Sequence, residues 1–175
     1  MIKINIYKIK TNKLELMPCD ILLIKGEGRG FIPETICNIQ NSIYSHSAVL
    51  IDAKNEKIIE AGWFNVLYNN LDFYKGRIDV YRCLELNNSL REQVIDYLIK
   101  QLGKLYDYKM LFLEMCRYLI GLTIPKFYKN TPSVICSELI SDSWRSIGID
   151  LCPNIKYPSP KDIFLSNKLC HIGSL

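Results

Sequence analysis

At 175 residues, with 49% hydrophobic and 23% charged residues, the chain carries enough apolar sequence for one core without staples and too little polar bias for a disordered tail. A single domain over residues 1–175 is the expectation. The net charge of +4 is scattered rather than gathered into a basic run, so no nucleic acid is expected among the partners.

Taken in chain order, the first ten residues, MIKINIYKIK, alternate Lys with Ile and read as a strand; they have neither the apolar run nor the small-residue cleavage site of a secretory signal. Cys19 to Ile24 is a short apolar run closed by Lys25-Gly26, the pattern of a buried strand and turn. The GEGRG segment that follows lacks the Lys-Ser/Thr of a phosphate loop and the spacing of GxGxxG, so nucleotide binding is not expected. Pro33, with Ile32, Ile36 and Ile39 at helical spacing, predicts a helix. Ser47–Ile51 and Lys57–Ala61, joined by the turn Asp52-Ala53-Lys54-Asn55, predict a hairpin. The segment from Phe64 to Leu71 reads as a loop, and Ile78–Leu84 as a further strand of the same sheet.

Val94, Ile95, Leu98 and Leu102 mark an amphipathic helix ended by Gly103, and further helices are predicted over Lys109–Ile120 and from Ser133–Cys136 to Ile147, where Gly148 supplies a stop. The tail reads as a turn at Tyr157-Pro158-Ser159-Pro160, a short helix near Asp162 and a strand-like Lys168–Ile172. The most apolar stretch, Met110–Pro125, contains Glu114 and Arg117 and falls short of the roughly 20 residues that span a bilayer. It reads as a buried or interfacial helix.

The seven cysteines, at 19, 37, 83, 116, 136, 152 and 170, are odd in number and include no CxxC pair. Neither a zinc site nor a disulfide framework is indicated; no metal or cofactor is expected, and a reducing, cytoplasmic location is the simplest reading. One cysteine stands apart. Cys136 falls at the start of the predicted helix Ile135-Cys136-Ser137-Glu138-Leu139-Ile140, where unpaired N–H groups and the positive dipole end lower a thiol's pKa. The alternative is a small apolar residue filling the core. Cys170 has His171 as its neighbour, but adjacent residues of a strand point to opposite faces and do not make a dyad.

Of the two histidines, His46 sits in Tyr44-Ser45-His46-Ser47 at the mouth of a strand, whereas His171 lies at the C-terminus. His46 is therefore the candidate base, against the alternative of a hydrogen-bonded structural residue. If the hairpin closes as predicted, Glu60 returns beside His46, where it could fix the imidazole's tautomer; the alternative is a solvated edge carboxylate, since the register is not fixed by the pattern.

Four segments together resemble the YiiX/YebB-type permuted papain-like hydrolases, related to the NlpC superfamily: Cys-Asp-Ile-Leu-Leu from 19, Tyr-Ser-His-Ser-Ala-Val-Leu-Ile from 44, Ile-Ile-Glu-Ala from 58 and Ile-Cys-Ser-Glu-Leu-Ile from 135. Gly103-Lys104-Leu105-Tyr106-Asp107-Tyr108 and Ser159-Pro160-Lys161-Asp162-Ile163 extend the resemblance over most of the chain. It implies an α+β, circularly permuted papain-like fold, an antiparallel sheet or small barrel packed against helices, with the histidine strand before the cysteine helix. It also implies Cys136 as nucleophile, His46 as base and Glu60 as the orienting group. Tyr106, Asp107 and Asp20 are expected at the substrate cleft, with Tyr106 and Asp107 equally readable as turn and cap residues. Where the family's first block has Gly-Asp, this chain has Cys19-Asp20.

The expected activity is hydrolysis of an amide, peptide-like or isopeptide-like, or of an ester, through a Cys136 thioester. The alternatives are a lipid-directed thiol acyltransferase or deacylase, with the Met110–Ile124 stretch at a membrane surface, and a non-catalytic module that binds peptide or lipid.

Overall fold

The computed structural model describes residues 14–124 and 132–175; the strand predicted over the first ten residues lies outside them. Six antiparallel strands form an open sheet: β1 (Ile21–Lys25), β2 (Tyr44–Asp52), β3 (Lys57–Ala61), β4 (Val66–Asn70), β5 (Ile78–Cys83) and β6 (Leu169–Ser174), in the order β4-β3-β2-β1-β5-β6. Of the two sheet forms expected, the open one is present; β4 and β6 are unpaired edges among the described residues, so the sheet does not close into a barrel. The helices are α1 (Phe31–Gln40), α2 (Asn88–Lys100), α3 (Tyr108–Ile120), α4 (Cys136–Arg145) and the short α5 (Pro160–Phe164).

β1, at the centre, is apolar at every position from Ile21 to Ile24, and all four are fully buried, because both faces of the sheet are covered. One face carries Ile21, Leu23, Val49 and Ile59 against α4, with Leu139, Ile140 and the fully buried Trp144. The other carries Leu22, Ile24, Leu50, Ile58 and Val80, closed by Leu71 and Tyr74 of a 3-10 turn. α4 is buried nearly all round, the position of a central helix rather than a surface one.

Three local features differ from the sequence reading. β2 begins at Tyr44, not Ser47, because β1 pairs with it further back, through a bulge between the Ile24–His46 and Lys25–Tyr44 pairs. Residues 66–70, expected as a loop, form β4: pairing to the open side of β3 overrides the turn preference of Asn69-Asn70. Cys19, standing where the resembling family has glycine, has φ +67, a left-handed conformation that glycine adopts without cost.

No described helix is long and apolar enough to cross a membrane.

Candidate active site

Cys136 is the first residue of α4. Its place there follows from the segment before it: Val134 forms a bridge with Tyr106 and exchanges backbone hydrogen bonds with Leu105 and Asp107, so the chain enters the helix pinned. Glu138, three residues on, accepts from the Ile135 N–H at 3.4 Å. The first N–H groups of the helix have no intrahelical acceptor.

His46 lies on β2 next to the bulge, and its Nε2 is 2.6 Å from Glu60 Oε2. In the β2–β3 register Val49 faces Ile59 and Leu50 faces Ile58, so Glu60 falls opposite Ala48 and diagonal to His46 on one face. The hydrogen bond to Cys136 is left to the other ring nitrogen, Nδ1. Glu60 is buried and saturated: Tyr74 Oη donates to Oε2 and Asn69 Nδ2 to Oε1, each at 2.7 Å. Burial opposes its ionisation, but hydrogen bonds and charge from His46, with Asn69 and Tyr74, hold it down at about 2.

The same competition sets the dyad. Burial by itself would push the His46 imidazole down; the Cys136 sulfur, by charge and hydrogen bond, and then Glu60 push it well above its ordinary range. Burial would raise the Cys136 thiol, yet the His46 charge and hydrogen bond, with the Ser47 hydroxyl and N–H, leave it lowered. Both directions favour a thiolate–imidazolium pair over the neutral one. By contrast, burial pushes the Cys19 and Cys152 thiols up to about 12, and raises Cys37 as well. Cys170 and His171 are exposed on β6, the His171 ring packed on Tyr81.

A cleft reaches His46, lined by Ile32, Pro33, Ile36, Trp63, Tyr106 and Leu111, among others. Tyr106 is thus at the cleft; burial and then the Cys136 charge raise its phenol, which puts the ring close to the sulfur. Asp107 instead caps α3, accepting from Met110 N at 2.9 Å and from the Ser133 hydroxyl at 2.8 Å. Asp20 is fully buried at the far end of β1 from Ile24, the partner of His46, and is paired to Arg82 at 2.6 and 2.7 Å. The structure therefore gives Asp20 a strand-linking place rather than one at the cleft.

Asn69, Tyr74, Ser47 and Arg29 belong to the site without having been singled out in the sequence. Asn69 sits in the segment that reads as a loop, and Tyr74 in a 3-10 turn that carries no pattern; Ser47 is adjacent to His46 and was legible only as a strand residue. Among the described residues no group of three or more His, Cys, Asp or Glu side chains is arranged to hold a metal ion.

No family model matches the chain, and no curated protein matches its sequence. Solved structures do share the fold. One, from Escherichia coli O157:H7 and described as the metalloprotein yiiX, DUF1105, superposes with a TM-score of 0.69 at 17% identity, over 90% of this chain and 97% of that one. The likeness establishes a YiiX-like fold.

Proposed function

We propose that this chain is a circularly permuted papain-like cysteine hydrolase that cleaves an amide or ester bond. The observation that carries the reading is the buried Cys136–His46–Glu60 row, in which a helix-start thiol is lowered, an imidazole raised and a carboxylate saturated. The Cys136 thiolate attacks the carbonyl carbon, and the electron pair of the C=O moves to oxygen. On collapse the carbon–nitrogen or carbon–oxygen bond breaks, and the imidazolium of His46 delivers its proton to the leaving group. Neutral His46 then takes a proton from water as the water attacks the thioester, and the acid product leaves with Cys136 restored. The Cys136 N–H, at the helix start, is the oxyanion donor supported by position.

The related structure's description names a metalloprotein; here the carboxylate of Glu60 is filled by three donors and the thiol by His46, a donor set that does not fit a metal, and no step is routed through one.

The deciding experiment is alkylation of each cysteine against pH, read by mass spectrometry. Selective reaction at Cys136 below pH 7 that disappears in His46→Ala is the expected result; reaction at Cys136 no faster than at the other thiols ends the hydrolase reading in favour of a binding module. With a substrate in hand, Cys136→Ala loses activity by roughly 10⁴-fold or more while remaining folded.

A second reading of the substrate is favoured by the apolar cleft lining of Ile32, Trp63 and Leu111 and by exposed Phe31, Phe64 and Phe112, their neighbours along the chain. Such exposed apolar side chains suit an acyl chain or a lipid surface. Flotation of the protein with anionic and zwitterionic liposomes separates this from a soluble amide substrate.

A further inference from the structure

The cleft that reaches His46 is apolar along most of its wall, from Ile32, Pro33 and Ile36 of α1, through Ala61 at the end of β3 and Trp63 beyond it, to Leu111 of α3. Arg29 is the exception. It lines the same cleft, half-buried, with its guanidinium over the Tyr74 ring, 4.8 Å from the centroid. The His46 imidazole packs on that ring too, with centroids 5.8 Å apart. The cation is thus held one aromatic ring away from the base.

Its backbone N–H closes a turn onto the Gly26 carbonyl at 3.2 Å. Gly28 and Gly30 flank Arg29 with φ of +68 and +99, conformations in which a Cβ is strained, and the Glu34 carboxylate accepts from the Gly28 N–H at 3.2 Å. The turn that looks like a phosphate loop in the sequence therefore has a different use: it carries one arginine into the cleft.

A guanidinium withdrawn from water beside apolar side chains is costly unless it meets an acceptor, and its planar fork matches a carboxylate or a phosphate. Among the described residues no carboxylate lies within ion-pair distance of Arg29. Glu34 is turned to Gly28, and Glu60 to His46, Asn69 and Tyr74. The wall of the cleft supplies hydrocarbon contact and one cation whose acceptor within the chain is the Tyr74 hydroxyl, already donating to Glu60, rather than a carboxylate.

We infer that Arg29 is the specificity residue for an anionic group, carboxylate or phosphate, on a ligand whose neighbouring part is apolar. The inference deepens the hydrolase reading, since this ligand would be the substrate. It is tested by binding in a Cys136→Ala background, where no turnover takes place.

Two matched pairs serve as probes: N-hexanoylglycine with its methyl ester, and hexyl phosphate with hexanol, each read through the fluorescence of cleft-lining Trp63. With Arg29 present, the anionic member of at least one pair binds about tenfold or more tighter than its neutral partner. Arg29→Gln brings that ratio near one and Arg29→Lys restores part of it; the pair that responds tells carboxylate from phosphate. Equal binding within both pairs, no binding of any probe, or an anionic preference that survives Arg29→Gln overturns the inference. Because Cys136 is absent, these outcomes are independent of the alkylation result, which judges the hydrolase reading alone.

Discussion

Three donors converge on the Glu60 carboxylate, and its charge is one of the supports of the His46 imidazolium. Glu60→Gln keeps the volume and removes the charge. The pH of half-maximal alkylation at Cys136 is then expected to rise by about one unit, because a less stable imidazolium lowers the thiol less; an unchanged profile with a folded protein would reduce Glu60 to packing. His46, held up to about 10, stays protonated through neutral pH. Activity is therefore expected to hold to the alkaline side and decline near pH 10 as the acid for the leaving group is lost, and to fall on the acid side as the lowered Cys136 thiol takes up a proton. A decline centred near 6.5, the pKa of a free imidazole, would contradict the ion pair.

Two joints between elements have consequences of their own. Where β1 runs into α1, a Cβ on Gly26 would lie 2.5 Å from Cys37 Sγ, 2.8 Å from the Pro33 carbonyl oxygen and 2.9 Å from Ser45 Cβ. Gly26→Ala forces α1 away from the strand that carries His46; we expect a loss of about 1–3 kcal/mol in urea unfolding, together with slower alkylation of Cys136. At the seam of α3 and α5, Arg117 pairs with Glu114 and Asp162, and Tyr118 meets Ser159 at 2.8 Å. Glu114 is only 1% exposed, and burial, against the pull of Arg117, raises its carboxyl to about 8. A carboxyl raised on folding costs nothing below its unfolded value and progressively more as pH climbs from about 4.5 to about 8. Glu114→Gln is therefore expected to raise Tm relative to the parent at pH 8.5 and to leave it nearly unchanged at pH 4. A lower Tm at pH 8.5 would mean that the ionised pair with Arg117 is what the seam requires.

One buried ion pair lies at the end of the sheet away from the chemistry. The Asp20–Arg82 pair ties β1 to β5 away from His46, with Asp20 fully buried. Asp20→Ala leaves a largely buried guanidinium without its partner and is expected to cost about 3 kcal/mol, measured by chemical denaturation, while the pH profile of Cys136 alkylation stays as it was. A changed profile with unchanged stability would return Asp20 to the cleft. By itself the sequence determined the helices and most strands, since their apolar spacing and the stops at Gly103 and Gly148 are local, and it singled out Cys136 and His46 as a helix-start thiol and a strand histidine. Position along the chain made them candidates and left open a packing cysteine and a structural histidine. Only the tertiary structure decided the rest: β4 exists because β3 offers an edge, and with it come Asn69 and, across the following turn, Tyr74. Asp20 and Asp107, polar residues inside segments shared with the resembling family, turn out as an ion-pair partner and a helix cap, because what a carboxylate does depends on which donor the fold brings within about 3 Å. Arg29 was hidden for the same reason: that it meets the Tyr74 ring and hydroxyl rather than a carboxylate is a property of the space around it, which no local pattern encodes.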